Sequence, residues 1–209
     1  MTAKLYCFGE SGNAYKAALT MALTGYDWTP VYVDFFNGGA RSPEFLAINE
    51  MGEAPVFVEG ALTLTQSCVI QLHVAEKTGK LLQGDRNEIL RWMFWDAQKG
   101  SGQQGVLRFL KNFLPEDKRP EQAIGFVSGR VTTALGVLER HLAGRDWMVG
   151  DGVTLADTAC CGYLYYPEPF GFERDKFPNI SNWLDRISAL SGWKHPYEMM
   201  PGSPADRGL

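Results

Sequence analysis

The sequence is poor in the features that mark membrane proteins and nucleic-acid-binding proteins. No apolar run reaches the ~20 residues that a membrane-spanning helix needs, and the N-terminal residues lack the apolar stretch of a signal peptide. The 20 lysines and arginines form no basic cluster, and the net charge is −4. We therefore expect a cytoplasmic protein that binds neither nucleic acid nor membrane.

Cysteine and histidine are scarce, with four and three residues respectively. The cysteines form no C-x-x-C pair and no zinc-like spacing with the histidines, so we predict no metal site. Reduced thiols in a reducing compartment are favoured over a disulfide. The chain also lacks a G-x-S-x-G motif, and Ser11 has no histidine near it in the sequence. The three histidines lie mid-helix, at a helix end and next to a proline, which disfavours a serine hydrolase.

The first 80 residues mix strand and helix patterns. Residues 4–8 and 28–35 read as strands, "PVFVEGALTLT" as a hairpin with Glu59-Gly60 at its tip, and residues 12–25 and 66–78 as helices. Strand, helix, strand, hairpin and helix in this order predict an α/β unit with a mixed sheet over residues 1–80.

Strand patterns fade beyond residues 81–88, which we interpret as a linker. Apolar residues at three- and four-residue intervals predict a long helix over 120–142, and "VTLADTACCGYLYY" and "NISNWLDRISAL" predict two more. We therefore expect an all-helical domain over residues 86–209, with "PGSPADRGL" as a loose tail.

Three polar or proline-containing positions in the first domain suggest a binding slot. Ser11 lies between the first strand and the first helix, where ligands of α/β sheets favour the carboxyl edge. Pro55 begins a strand, and a cis Ala54-Pro55 bond would expose a backbone edge that an extended peptide can pair with. Gln66 and Ser67 begin a helix, whose N-terminus favours a carboxylate. Each position also has an ordinary structural interpretation as a helix cap or an edge-strand proline.

On these and other segments the chain resembles the glutathione S-transferase superfamily, specifically its bacterial cytosolic members. The resemblance covers nearly the whole chain. Its main segments are "KLYCFGESGNAYKAALTMALTG", "RSPEFLAINEMGEAPVFVEGALTLTQSCVI", "RWMFWDAQ", "VTLADTACCGYL" and "GWKHPYEMMPG". The fourth contains Thr154 and Asp157 in the S/T-x-x-D spacing of a capping box. The resemblance implies a thioredoxin-like N-terminal domain, an all-α C-terminal domain and a homodimer.

The resemblance implies that glutathione is the co-substrate and that Ser11 hydrogen-bonds its sulfur. A free thiol has a pKa of about 8.5, and donors at a helix N-terminus lower that value and so favour the nucleophilic thiolate. Asn13 is the second candidate for holding the sulfur. Ser11 and Asn13 are therefore the candidate catalytic residues.

The resemblance also implies a set of glutathione-binding residues. Ala54 would pair its backbone with the cysteinyl unit, Gln66 and Ser67 would hold the γ-glutamyl carboxylate, and Arg41 would face the glycine carboxylate. Glu53 departs from the family pattern, because relatives often carry glutamine or lysine there. An acid at this position would face the glycine carboxylate with a like charge. The full set is Arg41, Glu53, Ala54, Pro55, Gln66 and Ser67.

A hydrophobic small molecule is the expected second substrate. Such clefts are lined by apolar and aromatic groups, and we expect this one between the domains. Its candidate residues, chosen by helical spacing, are Trp92, Trp95, Gln98, Tyr163 and Tyr166.

Three functions are compatible with these residues. The first is a glutathione transferase that activates the thiolate for attack on a hydrophobic electrophile. The second is a glutathione-dependent reductase acting on disulfides, peroxides or ethers. The third is a non-catalytic binding or scaffold protein, which Glu53 favours and the pocket residues Ser11, Asn13, Gln66 and Ser67 oppose.

Overall fold

The structure is a computed structural model that describes residues 2–204 and 206 of the 209-residue chain. The chain divides into two compact units, Met1–Leu81 with Ser191–Leu209 and Leu82–Leu190, which we call unit 1 and unit 2. The first boundary lies at the start of the predicted linker. The second corrects the predicted 86–209 domain, because Ser191–Leu209 groups with unit 1. Ser191–Leu209 groups with unit 1 because it contacts the first helix and the loop before that helix. The Tyr15 hydroxyl donates to the Lys194 carbonyl, and the Gly9 amide donates to the Pro201 carbonyl.

The strands and helices have the following bounds. The strands are β1 (Ala3–Cys7), β2 (Trp28–Tyr32), β3 (Val56–Glu59) and β4 (Leu62–Thr65). The helices are α1 (Gly12–Thr24), α2 (Pro43–Ile48), α3 (Ser67–Thr78), α4 (Arg86–Lys99), α5 (Ser101–Asn112), α6 (Glu121–His141), α7 (Leu155–Cys160), α8 (Pro178–Ser188) and α9 (Pro196–Met199).

Unit 1 contains the predicted mixed sheet, with strand order β2-β1-β3-β4. Strand β2 runs parallel to β1, whereas β3 is antiparallel to both β1 and β4. The predicted second strand is shorter than expected, because the chain turns into a 3-10 helix at Phe35–Asn37. The hairpin turn lies at residues 60–61, one position beyond the predicted tip, since Glu59 pairs with Leu62.

Alternation along β1 explains the layers of unit 1. Leu5 and Cys7 are fully buried on one face, and Phe57 on the same face of β3 packs near His73 of α3. Tyr6 points to the opposite face, where its ring lies 6.3 Å from that of Phe45 in α2. The sheet is therefore covered on both faces, with its loops left for binding.

Unit 2 is all-helical within residues 82–190, as predicted. The predicted helix over 120–142 is α6, and the predicted helix of "VTLADTACCGYLYY" ends early, at Cys160. Helix α5 was not predicted. It is separated from α4 by Gly100, and the Asp96 carboxylate accepts hydrogen bonds from the Ser101 amide (3.0 Å) and hydroxyl (2.8 Å). The bond from the Ser101 amide satisfies a backbone donor that has no acceptor within α5.

The sequence contains no apolar run long enough for a membrane-spanning helix, and the helices of the structure can be compared with that expectation. In the part of the chain that the structure describes, no helix is both long enough and apolar enough to cross a membrane.

Candidate functional site

The register of the sheet brings the predicted binding positions to one edge. Tyr6, near the end of β1, pairs with Val56 at the start of β3, and Val56 pairs with Thr65 at the end of β4. The loops that follow β1, precede β3 and follow β4 therefore leave the sheet at the same end. These loops carry Ser11, Ala54-Pro55 and Gln66-Ser67, so topology alone clusters the three positions that the sequence singled out.

Ser11 is the N-cap of α1. Its hydroxyl oxygen accepts a hydrogen bond from the Ala14 amide at 3.1 Å, and its own amide donates to the Phe8 carbonyl at 3.0 Å. The residue is 6% exposed. A hydroxyl has two acceptor lone pairs and one donor, so the capping role leaves the Ser11 proton available for a ligand.

Asn13 lies in the first turn of the same helix and is partly buried. Helix geometry leaves the first amides of α1 without intrahelical acceptors, and the helix dipole favours negative charge there. By this geometry the amides of Gly12 and Asn13 are directed out of the N-terminal end of α1, which is the end that Ser11 caps.

The Ala54–Pro55 peptide bond is cis, as the resemblance implied. The preceding loop is shaped by Asn49, which is 4% exposed. Its side-chain amide donates to the Glu53 carbonyl at 2.7 Å, and its side-chain oxygen accepts from the Met51 amide at 3.1 Å. The sequence analysis missed Asn49. The signal was Asn49 three residues before Gly52, because asparagine at the first position and glycine at the fourth are typical of a type I turn.

Gln66 links the two loops beside the cis bond. Its side-chain amide lies 3.3 Å from the Met51 sulfur and 3.4 Å from the Glu53 carboxylate. The Arg41 guanidinium donates to the Met51 carbonyl at 3.1 Å. Gln66 is a non-glycine residue with φ 66°, a strained conformation that is concentrated at functional sites. Arg41, Glu53 and Gln66 therefore lie in one network of exposed polar side chains.

Ser67 is the first residue of α3 and is 9% exposed. Its amide has no intrahelical acceptor by helix geometry, and α3 has no side-chain cap from Gln66. The Gln66 side chain turns toward Glu53 instead. The start of α3 can therefore bind a carboxylate through its backbone and the Ser67 hydroxyl.

Cys7 is part of the core of unit 1. It is fully buried in β1, and burial raises the pKa of its thiol to about 12. A thiol with such a pKa carries almost no thiolate near neutral pH. Ser11, rather than Cys7, is therefore the candidate for chemistry at the end of β1.

The structure does not gather the five candidates for the second-substrate pocket. Trp92 and Trp95 contact each other with centroids 5.2 Å apart, and Trp92 is 3% exposed. Tyr166 lies beneath the Arg108 guanidinium at 3.9 Å. Tyr163 is also buried, whereas Gln98 is exposed. Three of these aromatic side chains, Trp92, Tyr163 and Tyr166, are thus buried within unit 2.

Two cavities lie away from the predicted glutathione residues. One of about 510 Å³ in unit 2 contains Trp95, but none of the other four candidates, in its lining. One of about 320 Å³ in unit 1 lies beside β2 and α2, with Tyr32, Asp34 and Phe45 in its lining. Among the described residues, no group of three or more histidine, cysteine, aspartate or glutamate side chains is arranged to hold a metal ion.

Both halves of the chain match one family. Residues 1–76 match the family described as glutathione S-transferase, N-terminal domain. Residues 104–191 match glutathione S-transferase, C-terminal domain.

Individual relatives agree with this assignment. Glutathione S-transferase F10 of Arabidopsis thaliana is 30% identical over 87% of this chain and 90% of its own length. Disulfide-bond oxidoreductase YfcG of Escherichia coli is 26% identical over 86% of this chain and 87% of its own. The crystal structure of a glutathione S-transferase from Xanthobacter autotrophicus is 34% identical, covers 100% of both chains and superposes with a TM-score of 0.86. The chain belongs to the glutathione S-transferase superfamily, and its fold is the one predicted.

Proposed function

We propose that the protein is a glutathione transferase that activates the glutathione thiolate for attack on a hydrophobic electrophile. The observation that carries the proposal is the convergence of the Ser11, Ala54–Pro55 and Gln66-Ser67 loops at one sheet edge. Family membership supports glutathione as the co-substrate. The chemistry of each loop matches a different part of this peptide.

Ser11 serves the sulfur in this proposal. Its hydroxyl proton donates to the thiolate while its oxygen keeps the bond to the Ala14 amide. The amides of Gly12 and Asn13 and the positive end of α1 add to this field. Each donor stabilises the thiolate relative to the thiol, so the thiol pKa falls and more nucleophile is present at neutral pH.

The other loops hold the two ends of glutathione. The start of α3, with Ser67 and Gln66, receives the γ-glutamyl carboxylate. The backbone of Ala54 pairs with the cysteinyl unit in the manner of an added strand. Arg41, anchored to the Met51 carbonyl, faces the glycine carboxylate. Glu53 lies on the same network and weakens binding at that end through like charge.

Calorimetric titration with reduced glutathione tests the proposal. We expect the wild-type protein to bind, and Ser67→Ala to weaken binding about tenfold to a hundredfold through loss of one hydrogen bond to a charged group. Ser128→Ala is the matched control, because Ser128 lies in unit 2, outside the proposed site. Absence of wild-type binding at millimolar glutathione contradicts the proposal and favours the scaffold function.

Glutathione-dependent reduction is the second candidate. It is favoured by the similarity to a disulfide-bond oxidoreductase and by the position of Asn13 in the first turn of the helix that Ser11 caps. Assays with an aromatic halide and with a mixed disulfide separate the two reactions. Turnover of the halide supports transfer, whereas turnover of the disulfide alone supports reduction.

We also propose a homodimer formed through the helices of unit 2. Phe94 and Phe126 are 69% and 68% exposed, and Phe126 with Trp95 contributes to the 510 Å³ cavity. Exposed aromatic side chains of this size are typical of interfaces. Light scattering should give twice the chain mass for the wild type and a monomer for Phe126→Glu. A monomeric wild type contradicts this part of the proposal.

A further inference from the structure

The C-terminal segment, defined as residues 191–204 and 206, runs back to the loop that carries Ser11. The Pro201 carbonyl accepts a hydrogen bond from the Gly9 amide at 2.7 Å. Gly9 is part of a turn that is closed by the bond from the Ser11 amide to the Phe8 carbonyl at 3.0 Å. The turn that positions Ser11 is therefore held from outside by Pro201.

Close packing confines this loop against the segment. A Cβ atom at Gly9 would lie 3.1 Å from the Ser203 nitrogen and 3.2 Å from both the Ser203 Cα and the Tyr197 ring. A Cβ at Gly202 would overlap the Tyr32 ring, and Gly202 has φ 78°. Glycine is therefore the residue best suited to position 202. The segment lies in direct contact with the loop after β1 and with Tyr32 at the end of β2.

The end of the segment is tied by reciprocal hydrogen bonds. The Asp206 carboxylate accepts from the Gly202 amide at 3.0 Å and from the Ser203 amide at 2.8 Å. The Ser203 hydroxyl oxygen accepts from the Asp206 amide at 3.3 Å. This is the arrangement of a capping box, S-x-x-D, with Pro204 at the position after the cap. The Gly202 and Ser203 amides are the first two after Pro201, so the Asp206 carboxylate fixes the chain that carries the Pro201 carbonyl.

A second anchor joins the segment to α1. The Tyr15 hydroxyl donates to the Lys194 carbonyl at 3.0 Å, and Tyr15 is fully buried one turn beyond Ser11. The helix that Ser11 caps and the turn that precedes it are thus attached to the same segment at two points.

We propose that the C-terminal segment is a positioning element for Ser11, with Asp206 and Tyr15 as positioning residues. The inference rests on the proposed function, since the position of Ser11 matters to chemistry only where its hydroxyl binds the glutathione sulfur. A donor must lie close to its productive geometry to stabilise the thiolate, and a small displacement of a catalytic donor causes a large loss of rate. Loosening Pro201 lets the Phe8–Ser11 turn move.

The test compares the wild type with Asp206→Asn, and with Asp117→Asn as the control at an exposed aspartate of unit 2. Hydrogen exchange measures the amides of residues 9–11, and the ultraviolet absorbance of the thiolate against pH measures the pKa of bound glutathione. We expect exchange to become about threefold to tenfold faster in Asp206→Asn and kcat/KM to fall by a similar factor, with a raised thiol pKa. Tyr15→Phe should shift both readouts in the same direction.

The outcomes separate this inference from the function it rests on. A wild-type protein that does not bind glutathione overturns the proposed function and, with it, the positioning role. Wild-type binding combined with unchanged exchange and unchanged thiol pKa in both variants overturns the positioning role alone. A lower melting temperature with neither readout changed also overturns it, because the segment then contributes only to stability.

Discussion

The side-chain amide of Gln66 lies 3.4 Å from the carboxylate of Glu53. The two residues come from separate loops that meet beside the cis Ala54–Pro55 bond. This contact directs an acidic side chain toward the residue proposed to hold one end of glutathione. Removal of that charge is the simplest way to learn whether Glu53 faces the ligand.

Glu53→Gln should tighten glutathione binding about twofold to fivefold, because it removes a like charge near the ligand carboxylates in a solvent-exposed setting. The gain should shrink as ionic strength rises, since salt screens exposed charges. Titration calorimetry at low and high salt measures both effects, with the exposed Glu50→Gln as the control. Unchanged or weaker binding would show that Glu53 points away from glutathione.

Asp157 should be the most sensitive polar residue of unit 2 to substitution. Its carboxylate accepts hydrogen bonds from the Met148 amide and the Trp183 indole, both at 2.8 Å, and from the Thr154 amide and hydroxyl at 2.7 and 2.9 Å. Burial raises the pKa of Asp157, and these donors lower it. In Asp157→Asn, one acceptor oxygen would be replaced by an NH2 group that faces N–H or O–H donors and cannot accept their hydrogen bonds. The substitution should therefore lower the free energy of unfolding by about 2–4 kcal/mol.

Urea denaturation measures this change, and Asp146→Asn provides the control. Asp146 is 70% exposed and pairs with Arg186, so its loss should change the free energy of unfolding by less than about 1 kcal/mol. Equal effects of the two substitutions would contradict the assignment of Asp157 as a buried cap of α7.

His141 should make stability fall as the solution becomes acidic. Burial lowers the pKa of its imidazole, and the ring contacts the Met148 carbonyl at 2.8 Å. Because the folded-state pKa lies below the unfolded value of about 6.5, the unfolded chain binds the proton more tightly. Stability is therefore full above the unfolded pKa and falls as the pH decreases from that value to the lower folded pKa.

Urea unfolding at about pH 7.5 and about pH 5.5 measures this loss. The decrease should be smaller in His141→Gln, because this variant lacks the imidazole that titrates. The other titrating groups are the same in both proteins, so their contributions cancel when the two decreases are compared. The same decrease in both proteins would show that His141 does not contribute.

Local chemistry made part of the site predictable from the sequence. Ser11 precedes a clear helical pattern and is its N-cap, and the pattern of β-branched residues located the hairpin that follows Pro55. The positive φ of Gln66 could not be predicted, because glutamine has no preference for it and tertiary contacts impose it. Asn49 was missed since its role depends on folding back onto Glu53.

The helical part shows where composition misled. Helix α5 contains Gly102 and Gly105, which are poor helix formers, and its first turn is held by Asp96 from the preceding helix. The segment beginning at Pro201 looked loose because it is rich in glycine and proline. Its S-x-x-D spacing at Ser203 was readable as a cap, but its contact with Gly9 depends on the fold.

The pKa of the glutathione thiol bound to Ser11→Ala tests the central claim most directly. Ser42→Ala is a matched control, because Ser42 caps α2 through a 3.1 Å bond to the Phe45 amide, equal in length to the Ser11 cap. Both variants should lose about 1 kcal/mol of stability. Only Ser11→Ala should raise the thiol pKa, by about one unit, and Ser11→Thr should keep it low. An unchanged thiol pKa in Ser11→Ala would contradict the proposal that Ser11 activates glutathione.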